Sequence, residues 1–285
     1  MFVLIGMGIV LSAVIGGYLM EEGNLSVLVQ PAEVLIIFGA ATGSFLISSP
    51  PAVVSVVAKN FAKLITYKGP TKAKYLDLLA LLYQLFAKSR QHGLLAIESD
   101  VEHPEKSPVF SKYPNILSNR HALNIICDNL KVVISTNLPA HELESLMDLD
   151  IETHHNEAMI PSHSIAKIAD ALPGLGIVAA VLGVVLTMGK IDKPPAVLGH
   201  SIGSALVGTF LGVLMCYGFV GPMATNFEHQ AHDDEVYLQI IKWALTSYIG
   251  GALPQIAVEF ARRAIPDSEK PSFDELEKYV KSRAK

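Results

Sequence analysis

Two long apolar stretches joined by a short polar connection stand out in the hydropathy pattern of this chain. They cover residues 171–189 and 196–221, and residues 190–195 connect them. A helix of 19 residues rises about 28 Å, close to the hydrocarbon thickness of a bilayer. The pattern therefore predicts an antiparallel transmembrane hairpin. It places Pro173 and Pro222 at helix ends on the same side of the membrane, where each proline either stops a helix or forms a hinge.

Small residues recur along both arms of this predicted hairpin. Lipid provides little hydrophobic drive between helices, so such faces mark close packing, either within one bundle or against a helix of a partner. Neither arm contains Asp, Glu, Lys or Arg, and we expect the hairpin to carry no proton-binding carboxylate of its own. The small residues are Ser201, Ser204, Ala205, Gly208, Thr209, Gly212 and Cys216 in the second arm, and Gly176, Ala180 and Gly183 in the first.

Two further apolar stretches lie near the N-terminus. Residues 2–20 predict one span, and residues 32–49 predict a second with Glu33 at its edge. The first 58 residues lack Lys and Arg, which argues against the basic start of a cleaved signal peptide. The pattern thus predicts four spans.

The distribution of basic residues predicts the orientation. Of the 22 Lys and Arg, only Lys190 and Lys193 lie in the short connections between spans. By the positive-inside rule, residues 50–170, residues 223–285 and both termini are expected in the cytoplasm. The basic residues nearest the second span suit anionic lipid headgroups: Lys59, Lys63 and Lys68.

The large polar segment between the second and third spans predicts several helices. Thr71 is a candidate cap for a helix that ends near Gly93 and carries Arg90 at its exposed end. A short helical stretch with Glu98, Asp100 and Glu102 follows, and its charges are expected to be solvated. A further helix is predicted near residues 116–134.

The segments that flank the predicted hairpin are also helical in pattern. Residues 139–158 predict an acidic amphipathic helix that runs toward the third span. Within it, Glu152 and His155 have the spacing of a metal-binding helix, but without a second copy we interpret them as solvated. Residues 243–260, broken by glycines and a proline, indicate a soluble helix pair, with a fifth span as the alternative.

Composition supports a membrane protein and excludes several functions. The chain is 51% hydrophobic and 17% charged, with a mean hydropathy of +0.39, too apolar for an ordinary soluble domain. The net charge of -5 argues against nucleic acid, and two cysteines, Cys127 and Cys216, do not make a disulfide framework. No nucleotide-binding loop or nucleophile elbow is present, so we do not expect an enzyme.

These patterns together predict an all-α integral membrane protein. It has four transmembrane helices, a large helical cytoplasmic loop and a helical cytoplasmic C-terminal tail. The predicted division is residues 1–49 for spans one and two, 50–170 for the loop, 171–222 for the hairpin and 223–285 for the tail.

Several segments resemble the MotA family, the A subunits of the bacterial flagellar stator, over nearly the whole chain. The segments that carry the resemblance are GGYLM at 16–20, QPAEVLIIFGA at 30–40, KAKYLDLLALLYQLFAKSRQHG at 72–93, LPGLGIVAAVLGVV at 172–185, VGTFLGVLMCYGFVGPMA at 207–224, AVEFARRAI at 257–265 and KPSFDELE at 270–277.

The resemblance implies a function in the bacterial inner membrane and a set of partners. It implies a homopentamer around a dimer of a MotB-type B subunit, and this B subunit supplies a membrane Asp and a peptidoglycan-binding domain. The complex of both subunits then couples proton flow to torque on the rotor. It also implies that Arg90 and Glu98 contact the rotor protein FliG, and that Pro173 and Pro222 couple ion passage to conformational change.

The coupling ion is inferred from one position of the hairpin. Sodium-driven relatives resemble this sequence but carry Thr where it has Ala180, whereas Thr209 occurs in both types. Ala180 offers no oxygen to a dehydrating sodium ion, so we favour protons and expect no other cofactor.

The sequence argues against two other functions. TolQ-like and ExbB-like energisers of outer-membrane processes have three spans and lack the helix that carries Arg90, so four spans count against them. A membrane-embedded enzyme would need converging polar groups, and Ser201, Ser204, Thr209 and His200 are too sparse.

Overall fold

The computed structural model describes residues 2–67 and 69–283; Lys68 lies outside the described residues. Within these ranges the regular secondary structure is helical, without a β-strand. The α-helices in chain order are α1 (Phe2–Met20), α2 (Leu25–Leu28), α3 (Pro31–Ser48), α4 (Pro51–Asn60), α5 (Lys63–Thr66), α6 (Lys72–His92), α7 (Glu98–Glu102), α8 (Pro114–Ser118), α9 (Arg120–Thr136), α10 (Ala140–Met188), α11 (Pro195–Met215), α12 (Gly221–Ile249), α13 (Pro254–Arg263) and α14 (Phe273–Arg283).

In the part of the chain that the structure describes, four helical segments are long and apolar enough to cross a membrane. They contain the four predicted stretches except for residues 49 and 189, which confirms the predicted all-α fold with four candidate spans and a large helical region between the second and third. α1 has no buried residue, so much of its apolar surface is available to lipid or to a neighbouring subunit, while Val3 and Val10 pack within the chain. The segments are Phe2–Met20, Leu25–Ser48, Ala140–Met188 and Pro195–Ile249.

The prediction that Pro173 and Pro222 lie at helix ends is wrong. α10 continues through both Pro161 and Pro173, and Pro222 is the second residue of α12, directly after a π-helical turn at Cys216–Val220. Hydropathy changes where a helix leaves the lipid, but backbone hydrogen bonding continues across that boundary. The end of an apolar stretch is therefore a change in hydropathy and not the end of the helix.

The chain forms two compact units. One, called here the spanning unit, comprises Met1–Tyr67 and Ala158–Gln230, and the other, called here the loop–tail unit, comprises Lys68–Glu157 and Ala231–Lys285. Each unit has its own apolar core.

The core of the loop–tail unit is built around α6. Leu78, Leu79, Leu81 and Leu82 are completely buried, and α13 and α14 pack on the same helix. A helix that is apolar on several faces is stable only when other helices cover it. Phe86 of α6 also stacks on the ring of Tyr248, with ring centres 4.3 Å apart.

The ends of α6 lie as predicted, but the capping differs. Thr71 occupies the N-cap position, yet its side chain makes no capping hydrogen bond. Instead the backbone N–H of Lys72 donates to Glu269 Oε2 at 2.7 Å. A carboxylate from the tail therefore satisfies a free N–H at the helix start, where negative charge is favourable.

Two further helical segments predicted for this unit are confirmed. Residues 116–134 are helical, divided between α8 and α9. The stretch at 243–260 forms a helix pair, because α12 ends at Ile249 and Gly251 turns with a φ of 97°. Both cysteines, Cys127 and Cys216, are free and buried.

Candidate functional site

The two arms of the hairpin, α10 and α11, touch through their glycines. A Cβ added at Gly212 would lie 2.5 Å from the carbonyl oxygen of Leu172, and one at Gly176 would lie 2.7 Å from that of Gly208. Backbones approach this closely only where side chains are absent. The predicted small-residue face is therefore a tight helix–helix contact within one chain.

Ala180 and Thr209 both belong to this contact. Ala180 is buried, and its backbone nitrogen would lie 3.1 Å from a Cβ at Gly208. Thr209 is half-buried, and its Cα would lie 3.3 Å from a Cβ at Gly176. Ala180, the position from which the coupling ion is inferred, and Thr209 therefore both lie at the contact of the two arms.

The two prolines lie next to features that weaken regular helix geometry. Ahead of Pro222, the N–H of Gly221 donates to the carbonyl of Cys216, five residues earlier, as a π-turn requires. Pro173 is half-buried within α10 and has no N–H to donate to the preceding turn. Each arm therefore contains a point where bending costs less than in an uninterrupted helix.

The hairpin is held together beyond Pro222 by one cross-helix hydrogen bond. The buried hydroxyl of Ser162 in α10 donates to the carbonyl oxygen of Ala224 in α12 at 2.9 Å. Beside it, an open cleft of about 670 Å³ is lined by Pro222, Asp170 and His229, among others. Polar groups and water-accessible space therefore lie directly next to the second proline.

One residue of this region was not predicted from the sequence. The sequence pattern places Glu33 at the edge of a span and does not predict that it contacts the hairpin. In the structure Glu33 is only 8% exposed, and its carboxylate faces Gly208 and Gly183. No local sequence signal indicated this contact, because the two glycines belong to helices that are distant along the chain.

Arg90 and Glu98 lie on a surface of the loop–tail unit. Both side chains are exposed, Arg90 in the last turn of α6 and Glu98 at the start of α7. Among the described residues neither forms an ion pair, although other charges on the same helices do. The prediction of solvated charge is therefore confirmed for these two residues.

The same prediction is wrong for Asp100. Its side chain is 2% exposed, and it accepts hydrogen bonds from Lys88 Nζ and Ser107 Oγ, each at 2.7 Å. This buried network links the end of α6 to α7 and fixes the positions from which Arg90 and Glu98 project. Alternating charges in a five-residue helix cannot reveal which side faces the core.

Glu152 and His155, which have the spacing of a metal-binding helix, do not lie near further metal ligands among the described residues. His155 Nδ1 lies 3.1 Å from Glu235 Oε2 of α12, within the loop–tail unit. Over the described ranges, no group of three or more His, Cys, Asp or Glu is placed to hold a metal ion. The arrangement is that of a helix–helix contact.

Comparison with known proteins identifies the family. The family described as Motility protein A N-terminal matches residues 4–93, and the MotA/TolQ/ExbB proton channel family matches residues 119–239. Motility protein A of Escherichia coli (strain K12) is 46% identical, with 99% of this chain and 96% of that protein covered. The chain belongs to the motility protein A family.

Other members of the motility protein A family extend this result. Chemotaxis protein LafT of Vibrio parahaemolyticus is 35% identical over 97% of both chains. The structure of Campylobacter jejuni MotAB matches with a TM-score of 0.79 at 18% identity, covering 95% of this chain and 98% of that one. The flagellar MotAB stator complex of Bacillus subtilis matches with a TM-score of 0.75 at 21% identity, covering 93% and 96%. These two structures share the fold of this chain.

Proposed function

We infer that this chain is the A subunit of a flagellar motor stator, a multipass protein of the bacterial inner membrane that couples proton flow to torque on the rotor. The observation that carries this inference is the 46% identity to motility protein A of Escherichia coli over nearly the full length of both chains. The fold shared with two MotAB structures supports it.

The partner of the hairpin in this proposal is a B subunit. Its membrane helix provides the carboxylate that accepts the transported proton, and its periplasmic domain holds the complex to peptidoglycan. Support comes from the names of the matching structures, which are complexes of MotA with MotB. In a homopentamer of this chain around a B dimer, lipid or other subunits would cover the exposed apolar surface of α1.

The hairpin residues take distinct roles in this mechanism. Ala180 and Thr209 lie at the contact of the two arms, where the ion passes the B subunit. Pro173 and Pro222 allow the arms to bend when the proton binds, since each proline leaves a backbone carbonyl without its usual donor. One proton that crosses 100 mV releases about 2.3 kcal/mol, enough to bias a modest conformational change.

Torque is transmitted through the exposed charges of the loop–tail unit. In this proposal Arg90 and Glu98 contact complementary charges of FliG, and the loop–tail unit and both termini lie in the cytoplasm. The support is geometric, because both charges are exposed while the neighbouring Lys88 and Asp100 form an ion pair within the fold.

An ExbB-like or TolQ-like role is the second candidate function, since the second family match includes those proteins.

Ion flux into vesicles tests this proposal. The purified chain is reconstituted with and without its B subunit, and proton and sodium entry are followed with ion-sensitive dyes. Flux of protons is expected only with the B subunit, because one buried carboxylate does not make a path across a bilayer. Flux by the A subunit alone, or flux that depends on sodium, would contradict the proposal.

A further inference from the structure

Glu33 is an ionisable side chain without a partner inside the spanning unit. It is the third residue of α3 and is 8% exposed. Its Oε2 is buried and accepts no hydrogen bond from the residues that the structure describes. Buried carboxylates are normally paired or hydrogen-bonded, so this one calls for a physical explanation.

Glycines from two other helices make the space that the Glu33 carboxyl occupies. A Cβ at Gly208 of α11 would lie 2.5 Å from Oε2, and a Cβ at Gly183 of α10 would lie 3.4 Å from Oε1. Any larger residue at position 208 would displace the carboxyl or separate the helices. The carboxyl is therefore held in a fitted site at the hairpin contact.

Among the described residues, no cationic side chain pairs with a Glu33 anion at this site, and the only opposing charge is the partial positive charge at the start of α3. The elements packed near it are α2, α11 and the membrane part of α10. Residues 171–189 and α2 contain no titratable side chain, and α11 contains only His200, which is exposed. A carboxylate without an ion pair in such surroundings loses its hydration, and the partial charge of one helix end offsets only a small part of that loss, whereas a neutral carboxylic acid loses far less.

We propose that the Glu33 carboxyl is a proton-binding site of this chain, occupied by a proton when α3 packs against Gly183 and Gly208. The inference rests on the proposed stator function for its role, although not for the binding itself. The proton comes from water on the side of the 190–195 connection and returns to water or to the carboxylate of the B subunit, and no other bond changes.

Proton occupancy at Glu33 controls the packing of α3 on the hairpin. Gly208 directly precedes Thr209, and the backbone nitrogen of Ala180 lies beside the same glycine. With the proton bound, the neutral side chain fits between the helices. Loss of the proton places an unpaired anion against the backbone of α11 and favours separation of the helices until water reaches the carboxylate.

Infrared spectroscopy of the complex with its B subunit tests for the bound proton. The protein in lipid is expected to show the C=O stretch of a protonated carboxylic acid that is absent from Glu33→Gln and retained in the control Glu21→Gln, whose carboxylate is exposed. If Glu33→Gln does not accumulate, Glu33→Asp replaces it in the comparison, because moving the carboxylic acid by one methylene must shift its C=O stretching band. A spectrum unchanged by substitution at position 33 overturns the proposal.

Proton flux then tests the role of the site. Glu33→Gln is expected to assemble with the B subunit but to conduct about a hundredfold less, the lower range for a positioned proton-transfer group. Glu21→Gln is expected to conduct as the parent does. Full flux in Glu33→Gln would overturn the role in transport, whereas absence of flux from the parent would overturn the stator function and leave the infrared result to decide proton binding.

Discussion

At the scale of single residues, exposed and buried charges lie only two positions apart. Lys88 and Asp100 form an ion pair at 2.7 Å, whereas Arg90 and Glu98 point to solvent. Exposed charges contribute little to stability, but a buried acceptor that satisfies two donors contributes more. The two sets can therefore be separated by substitution.

Charge reversal at Arg90 or Glu98 is expected to lower torque without affecting folding. Arg90→Glu and Glu98→Lys should each change the free energy of unfolding by less than about 0.5 kcal/mol, as is typical of surface positions. Tethered-cell rotation measures the torque, and membrane accumulation reports folding.

Asp100→Asn is the matched control for these reversals. It should destabilise the protein by about 1–3 kcal/mol, because the Lys88 ammonium and the Ser107 hydroxyl lose a charged acceptor. If Arg90→Glu or Glu98→Lys reduced accumulation as much as Asp100→Asn, these two residues would be structural rather than rotor contacts.

A second residue-scale prediction concerns acid stability at the end of α13. Glu259 accepts hydrogen bonds from Arg262 and Arg263, and these arginines lower the pKa of its carboxyl from 4.5 to about 2. Because the pKa is lower in the folded state, its stabilising contribution is complete above about pH 4.5 and is lost as the pH falls toward 2.

Hydrogen exchange of α13 across this pH range measures that contribution. The backbone amides should lose protection between about pH 4.5 and 2, at a cost of about 1–3 kcal/mol after allowance for solvent screening. The Glu259→Gln variant should show lower protection at neutral pH and little further change in acid. An equally steep pH dependence in Glu259→Gln would show that another group is responsible.

At the scale of elements, the hairpin depends on how closely two backbones approach. Gly212 and Gly203 lie on the same helix, α11, but only Gly212 faces α10 at close range. Gly203 has nothing within 4 Å of an added Cβ among the described residues. This pair separates the effect of a methyl group on packing from its effect on helix propensity.

Gly212→Ala is expected to destabilise the hairpin, and Gly203→Ala is not. The new methyl of Gly212→Ala would lie 2.5 Å from the carbonyl oxygen of Leu172, and such overpacking costs about 1–3 kcal/mol. Thermal unfolding of the protein in detergent should show a lower transition temperature for Gly212→Ala alone. Equal transition temperatures in the two variants would mean that the arms can move apart freely.

The prolines provide a second prediction at this scale. Pro173→Ala and Pro222→Ala each restore a backbone N–H, which stiffens the arm, so rotation should be impaired while co-purification with the B subunit persists. Pro161→Ala, in the same helix α10 but outside the hairpin, is the control and should rotate normally. Normal torque in both hairpin variants would leave these prolines without a coupling role.

At the scale of the whole molecule, the sequence predicts best those features that depend on the thickness of the bilayer. The lengths of apolar stretches follow from membrane thickness, so the four spans and the all-α class were predictable. The continuation of α10 through Pro173 was not, because hydropathy reports the solvent and not the backbone hydrogen bonds. Glu33 was missed for a different reason, since its burial depends on glycines brought to it by the fold.

Because both of its cysteines are buried, the native chain should react little with thiol-labelling reagents. A thiol reacts as its thiolate, and burial raises the pKa of Cys127 to about 12. Cys216 is only 4% exposed. In intact protein at neutral pH, maleimide should therefore add little mass to the parent chain. Arg90→Cys or Glu98→Cys should each take up one full equivalent. A single fluorophore can then be attached to the surface that carries Arg90 and Glu98 without removal of either natural thiol.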